Sequence, residues 1–193
     1  MIHTYNLLDF ATRYGLQDHA LFDILCALPG NHWIAGGALR AFVENKPITT
    51  DIDYFFPSDA AYKEFADYLV DDKVTETDSV TTFKTVIGGV DYKIQAINLA
   101  VYPDIPTCLD SFDFTLCMLG TDGKTLYAGE YTLFDIARKH IVVNKITYAA
   151  ASVRRLLKYA SQGYTACQGC IVQMLDAVAD DPAIIQASVA YVD

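Results

Sequence analysis

The stretch from His32 to Phe56 constrains this chain more than any other. His32-Trp33-Ile34-Ala35 is a short apolar run of strand character that enters the pair Gly36-Gly37, and Ala38-Leu39-Arg40-Ala41-Phe42-Val43 continues with helical spacing. After an Asn45-Lys46-Pro47 turn, residues 48–56 form a second strand-like run that carries Asp51 and Asp53. The unit reads as strand, glycine turn, helix, strand. Two glycines at such a junction let a backbone approach a triphosphate closely, and the helix start behind them offers unpaired N–H groups and the positive end of its dipole. Taken alone, a Gly-Gly turn is more often only a device for tight packing.

The aspartates add chemistry to that geometry. Two apart on a strand, Asp51 and Asp53 project from one face, roughly 7 Å from each other at Cα. Two carboxylates on one face of a buried strand repel each other unless a cation stands between them. Oxygen ligands of this kind suit Mg2+ (or Mn2+), and a metal pair spaced about 3.5–4 Å would activate an attacking hydroxyl and neutralise a leaving pyrophosphate. The competing reading is a polar strand end in which Asp51 caps the turn.

The rest of the chain frames this unit. Residues 5–28 carry apolar side chains at helical spacing and end at Pro29-Gly30, which predicts two short helices and a stop. Pro57-Ser58-Asp59 reads as the cap of a helix running to about Leu69, with Ser58 or Asp59 supplying the capping oxygen. Residues 80–97 alternate apolar with polar on either side of Gly88-Gly89, a β-hairpin signature. An apolar segment follows at 112–119, then a turn at Asp122-Gly123-Lys124, a short helix at 133–139, and helices over 149–161 and from about Cys167 to the end. This order implies an α+β fold, a mixed sheet flanked by helices with a short helical neck: a head over residues 1–145 and a helical tail over 146–193 packed on it.

Composition narrows the partners. A formal net charge of -10 repels phosphodiester backbones and anionic membranes, so extensive duplex binding is disfavoured and a nucleic-acid contact needs a local basic patch. The start Met1-Ile2-His3-Thr4-Tyr5 lacks the pattern of a secretory signal and no apolar stretch reaches spanning length, which points to a soluble, cytoplasmic protein with no membrane partner. Five cysteines at irregular positions fit reduced thiols. Cys167 and Cys170 form a Cys-x-x-Cys pair with no second pair and no nearby histidine, so two thiols on a helix is a better reading than zinc.

Gly36-Gly37-x-x-Arg40 followed by Asp51-x-Asp53 resembles the signature of the polymerase-beta-like nucleotidyltransferase superfamily, in particular the head domain of poly(A) polymerases and CCA-adding tRNA nucleotidyltransferases. Two further blocks in the same order are similar to that head: Asp113-Phe114-Thr115 with Asp122-Gly123 and Phe134-Asp135-Ile136, and Ser152 to Ala160, which resembles the Arg-rich neck helix. The resemblance covers residues 32–164. It implies a nucleotidyltransferase fold in which Asp51 and Asp53 ligate magnesium and are catalytic, Gly36, Gly37 and Arg40 hold the triphosphate, Asp113 contacts the ribose, and Arg155 and Lys158 read the base or phosphates. For the last two, a solvated basic helix face is an equally good reading.

The chain departs from the family pattern at several places. Ala41 stands where an acid follows the arginine, Ser111-Phe112 where two arginines precede the Asp-Phe-Thr block, and Lys93-Ile94-Gln95 where many members carry a third carboxylate; Asp91 would serve only with a shifted register. The resemblance implies a magnesium-dependent nucleotidyltransferase that takes an NTP and moves its nucleoside monophosphate to an RNA end, a protein or a small molecule. The alternative is a catalytically silent relative that keeps the fold as a nucleotide-binding or protein-interaction module.

Overall fold

The computed structural model describes residues 1–26, 31–87 and 90–180. Its elements are β1 (Ile2–Asn6), α1 (Leu7–Tyr14), α2 (Phe22–Cys26), β2 (Trp33–Ala35), α3 (Gly37–Val43), β3 (Ile52–Phe55), α4 (Asp59–Tyr68), β4 (Lys73–Glu76), β5 (Val80–Ile87), β6 (Val90–Ile97), α5 (Ile105–Asp110), β7 (Leu119–Thr121), β8 (Thr125–Gly129), α6 (Thr132–Arg138), β9 (His140–Ile141), α7 (Ala149–Ser161), β10 (Thr165–Ala166) and α8 (Gln168–Ala179).

Local chemistry sets several of these boundaries. The Asn6 side chain accepts from the Asp9 N–H to open α1, and Gly15 closes it in the left-handed region at φ 66. Of the two candidate caps for α4 it is Ser58 that accepts from the Ala61 N–H. Asp104 caps α5 through the Thr107 N–H. The Cys167 thiol caps α8 by accepting from the Cys170 N–H at 3.4 Å, which gives the Cys-x-x-Cys spacing a role in the helix start.

Eight strands form one mixed sheet in the order β1-β8-β7-β2-β3-β6-β5-β4, antiparallel throughout except where β3 runs parallel to β6. Successive side chains on a strand point to opposite faces, and the two faces bury different sets. Ile34, Ile52, Tyr54, Ile94 and Ala96 join the larger core with α1, α3 and α4, whereas Trp33, Ala35 and Phe55 pack with Ile105, Cys108 and Leu109 of α5. Asp53 and Gln95 lie in the second alternation, on the α5 side.

The sheet corrects several expectations. Residues 2–6 form an edge strand paired with β8, and β4 adds a strand at the other edge; neither was expected from pattern. The apolar segment 112–119, to which the pattern assigned no element, is a bend, a bridge from Phe114 to Val143, a short 3-10 turn at Thr115–Cys117 and the first residue of β7. Of the run 48–56 only Ile52–Phe55 is strand. Helix α5 went unrecognised. The Pro29-Gly30 stop, the Gly88-Gly89 turn and the chain after residue 180 lie outside the described residues.

Candidate active site

β2 ends at Ala35, directly opposite Asp53 in the β2–β3 ladder, and the chain turns at once through Gly36. Gly36 has φ +89, in the region L side chains avoid, and a Cβ there would sit 3.6 Å from Phe112 Cε2 and 3.9 Å from Asp53 Oδ2. The backbone at Gly36 therefore borders the Asp53 carboxylate directly. A Cβ on Gly37 would instead meet Thr50 Oγ1 at 3.4 Å.

The parallel register settles which residue stands beside Asp53. Asp53 pairs with Gln95, so the position of a third acid holds an amide. Asp91 is opposite Val86 and forms a surface ion pair with Lys84, away from the aspartate pair. Lys93, one alternation before Gln95, donates to Asp51 Oδ2 at 3.2 Å. It was read in the sequence only as the absence of an acid. A parallel register between strands about forty residues apart has no local signature, so nothing nearby in the chain announces this ion pair.

Asp53 is half-buried and electrostatically crowded. Burial and, after it, the charge of Asp51 push its carboxyl up to about 7, against the opposing pull of Lys158, Arg155 and Lys93. A carboxyl held this high beside a second acid on the same face fits a site for a hard divalent cation. Asp51 and Asp53 are the two carboxylates at this place; among the described residues no group of three or more His, Cys, Asp or Glu side chains is placed to hold a metal. Further ligands would have to come from phosphates or water.

The structure brings Gly36, Asp51, Asp53, Arg155 and Lys158 into one electrostatic neighbourhood, with Arg155 and Lys158 exposed on α7. Asp113 and Arg40 are differently engaged. Asp113 is buried at the foot of α7, where its Oδ2 accepts from Ser152 Oγ at 2.8 Å and from Arg155 Nη1 at 2.7 Å. The residue expected on a ribose thus ties the neck helix to the head. Arg40 is 4% exposed, donates to Gln162 Oε1 at 2.7 Å, and lies against the rings of Tyr159 and Tyr164. Nearby, Thr115 Oγ1 donates to Asp135 Oδ2 at 2.6 Å and Thr132 Oγ1 to the Thr115 carbonyl at 2.7 Å, so the Asp-Phe-Thr block and α6 are locked together by buried hydrogen bonds.

Comparison with known proteins places this arrangement. The model of the Gabija anti-defense 2 family matches residues 4–139, a span that holds both glycines, both aspartates and all of the eight-stranded sheet but the first two residues of β1. The chain belongs to the Gabija anti-defense 2 family. A curated member, Gabija anti-defense 2 of Bacillus phage SPbetaL7, is 32% identical over 138 residues, covering 68% of this chain and 33% of that protein. The chain thus matches about a third of the length of its curated relative. Among solved structures, the Thermotoga maritima CCA-adding enzyme complexed with tRNA superposes with a TM-score of 0.65 at 14% identity, over 92% of this chain and 46% of that one. A CCA-adding enzyme in complex with ATP gives 0.66 at 16% identity over 96% and 48%, and a tRNA-processing enzyme in an apo form gives 0.57 at 18% over 92% and 49%. At such identities the likeness is one of fold: this Gabija anti-defense 2 family member has the polymerase-beta-like nucleotidyltransferase fold.

Proposed function

We propose that the chain is a nucleotidyltransferase that moves a nucleoside monophosphate from an NTP to an acceptor, and that it does so in counteracting the defence for which its family is named. The observation that carries the reading is the aspartate pair at the start of β3: Asp53 borders the Gly36 backbone, Asp51 lies one residue ahead of the strand, and the Asp53 carboxyl is raised in a way that a bound cation would relieve. Side-chain-free backbone at Gly36 and Gly37 admits the phosphates, and Arg155 and Lys158 offset their charge from the side of α7. Asp51 and Asp53 would hold a divalent cation, which would supply activation of the acceptor hydroxyl and neutralisation at the phosphates. The acceptor oxygen bonds to the α-phosphorus as its proton passes to water, the bond from that phosphorus to the β-phosphate oxygen breaks, and pyrophosphate leaves. The work of the protein is positioning and charge stabilisation. The acceptor is an RNA end, a protein side chain or a small molecule, and the net charge of -10 weighs against an extended duplex.

A second reading rests on Gln95, which stands in register with Asp53 where a third carboxylate would complete an acidic cluster. A site so altered serves to bind a nucleotide, or to present the fold to a protein partner, without turnover. Incubation of the chain with each labelled NTP and Mg2+, with and without cell extract, separates the two. Label transferred to RNA, protein or metabolite by the wild type and abolished in Asp53→Asn supports transfer. Nucleotide binding with no transfer in any extract favours the silent module.

A further inference from the structure

We propose that the Lys93 ammonium takes the place of one member of a metal pair, so that the Asp51–Asp53 site holds a single divalent cation beside a tethered positive charge. The inference rests on the metal-dependent transfer reading and narrows it to one metal and one positioning residue. Lys93 Nζ donates to Asp51 Oδ2 at 3.2 Å. The contact follows from the register of the sheet. β3 runs parallel to β6 with Ile52 opposite Ile94 and Asp53 opposite Gln95, so Lys93 stands at the level of Asp51, and Lys93 and Gln95 project from one face of β6. Directly across the ladder on β5 is Lys84, whose ammonium turns to Asp91 at 3.2 Å. The two neighbouring lysines thus carry their charges to different acids, and Lys93 is the one delivered to the aspartate pair. Arg155, which also acts on Asp53, is already bonded to Asp113.

Ligand supply and charge both favour one metal. Two divalent cations a few ångströms apart need carboxylates to bridge and flank them. Here an amide, Gln95, stands in register with Asp53, and among the described residues no third acid joins the pair. The two carboxylates neutralise one divalent cation, and the Lys93 ammonium then leaves the site one charge positive toward the phosphates. Three carboxylates with two divalent cations would present that same charge. An exchange of an acid for Gln95 and of a metal for Lys93 therefore preserves the field in which the phosphates bind. A second divalent cation would add two further positive charges within a few ångströms of the ammonium, where like charges repel even near the protein surface. A lysine suits the place, being a compact point charge on a flexible stem, and its hydrogen bond holds the Asp51 carboxylate in position.

The test counts bound metal in the full chain and needs no turnover. Mn2+ is titrated with and without a non-hydrolysable NTP and followed by electron paramagnetic resonance on the wild type, Lys93→Met, Lys93→Arg and Lys124→Met. Lys124 is exposed in the turn between β7 and β8, so its replacement changes the net charge equally without touching the aspartate pair. The Lys93 side chain is 56% exposed, and its variants retain the fold. With the nucleotide, the wild type, Lys93→Arg and Lys124→Met should each bind one Mn2+ per chain with the resolved hyperfine pattern of an isolated ion. Lys93→Met should bind two, with a spin-coupled signal. Without nucleotide, the first Mn2+ should bind about threefold or more tighter to Lys93→Met than to Lys124→Met, since a competing cation is gone from Asp51. Two coupled ions in the wild type would overturn the proposal. So would a Lys93→Met variant that keeps a single ion, held no more tightly than in Lys124→Met. The two readings fail separately: two ions in the wild type leave transfer intact and refute only the place given to Lys93, whereas no bound Mn2+ in any variant would remove the aspartate metal site and the transfer reading with it.

Discussion

Replacing Asp53 by Asn removes the charge that the fold holds at greatest electrostatic cost, and the structure gives its size and its pH dependence. In the metal-free protein burial and Asp51 raise this carboxyl from an ordinary value near 3.8 to about 7. The folded state therefore binds the proton more tightly than the unfolded chain, so the stability it contributes is complete below pH 3.8 and lost as pH rises to about 7. A shift of that span corresponds to at most ~4 kcal/mol, and the partial contact of the carboxyl with water brings the expectation to roughly 2–4 kcal/mol. His32 runs the other way. Burial lowers it from 6.5 to about 4, so its contribution is present above 6.5 and lost as pH falls through 4. The two slopes oppose each other in the wild type, which flattens its stability between pH 4 and 6.5.

Asp53→Asn removes only the first slope. The variant should match the wild type at pH 4 and exceed it by about 2–4 kcal/mol at pH 8, or roughly 5–15 °C in Tm for a domain of this size. Its own stability should climb between pH 4 and 6.5 as the His32 slope emerges. Denaturant unfolding in chelator across pH 4–8 measures this, and adding Mg2+ with a non-hydrolysable NTP should stabilise the wild type far more than the variant. A variant less stable than the wild type at pH 8, or a difference between them that does not change with pH, would refute the argument that Asp53 is a crowded carboxyl awaiting a cation.

Gln95→Glu sets a third acid in register with Asp53; Mn2+ affinity followed by electron paramagnetic resonance should rise, while metal-free stability at pH 8 falls. Gly36→Ala forces a side chain into φ +89 beside Phe112 and should cost about 1–3 kcal/mol in denaturant unfolding, along with NTP binding. Ser152→Ala removes one of two donors on the buried Asp113 carboxylate and should cost about 1–3 kcal/mol with nucleotide affinity little changed, since Arg155 remains in place.

Much of the architecture is local and so legible in the chain itself. Helix α7 occupies the expected residues 149–161, the hairpin of β5 and β6 occupies 80–87 and 90–97, and the strand, glycine turn and helix around Gly36 stand where apolar periodicity and the glycine pair put them. These signals work because side-chain period and turn chemistry are properties of neighbours in sequence. The spacing of the aspartates is legible for the same reason, but β3 begins at Ile52, so strand alternation places Asp53 while Asp51 is set by the turn before it. What surrounds each charge was decided only by the tertiary structure. Lys93 reaches Asp51 and Arg155 reaches Asp113 across 42 residues each, and Arg40 reaches Gln162 across 122. β1 is a strand because β8 offers its edge, not because Ile2–Asn6 alternates, and 112–119 is apolar because it is buried, its pairing confined to a bridge between Phe114 and Val143 and to Leu119 in β7. A side chain's type and its position on an element follow from local sequence, whereas its partner follows from which distant element folding brings alongside, and it is the partner that turned Asp113 toward the neck and Arg40 toward Gln162.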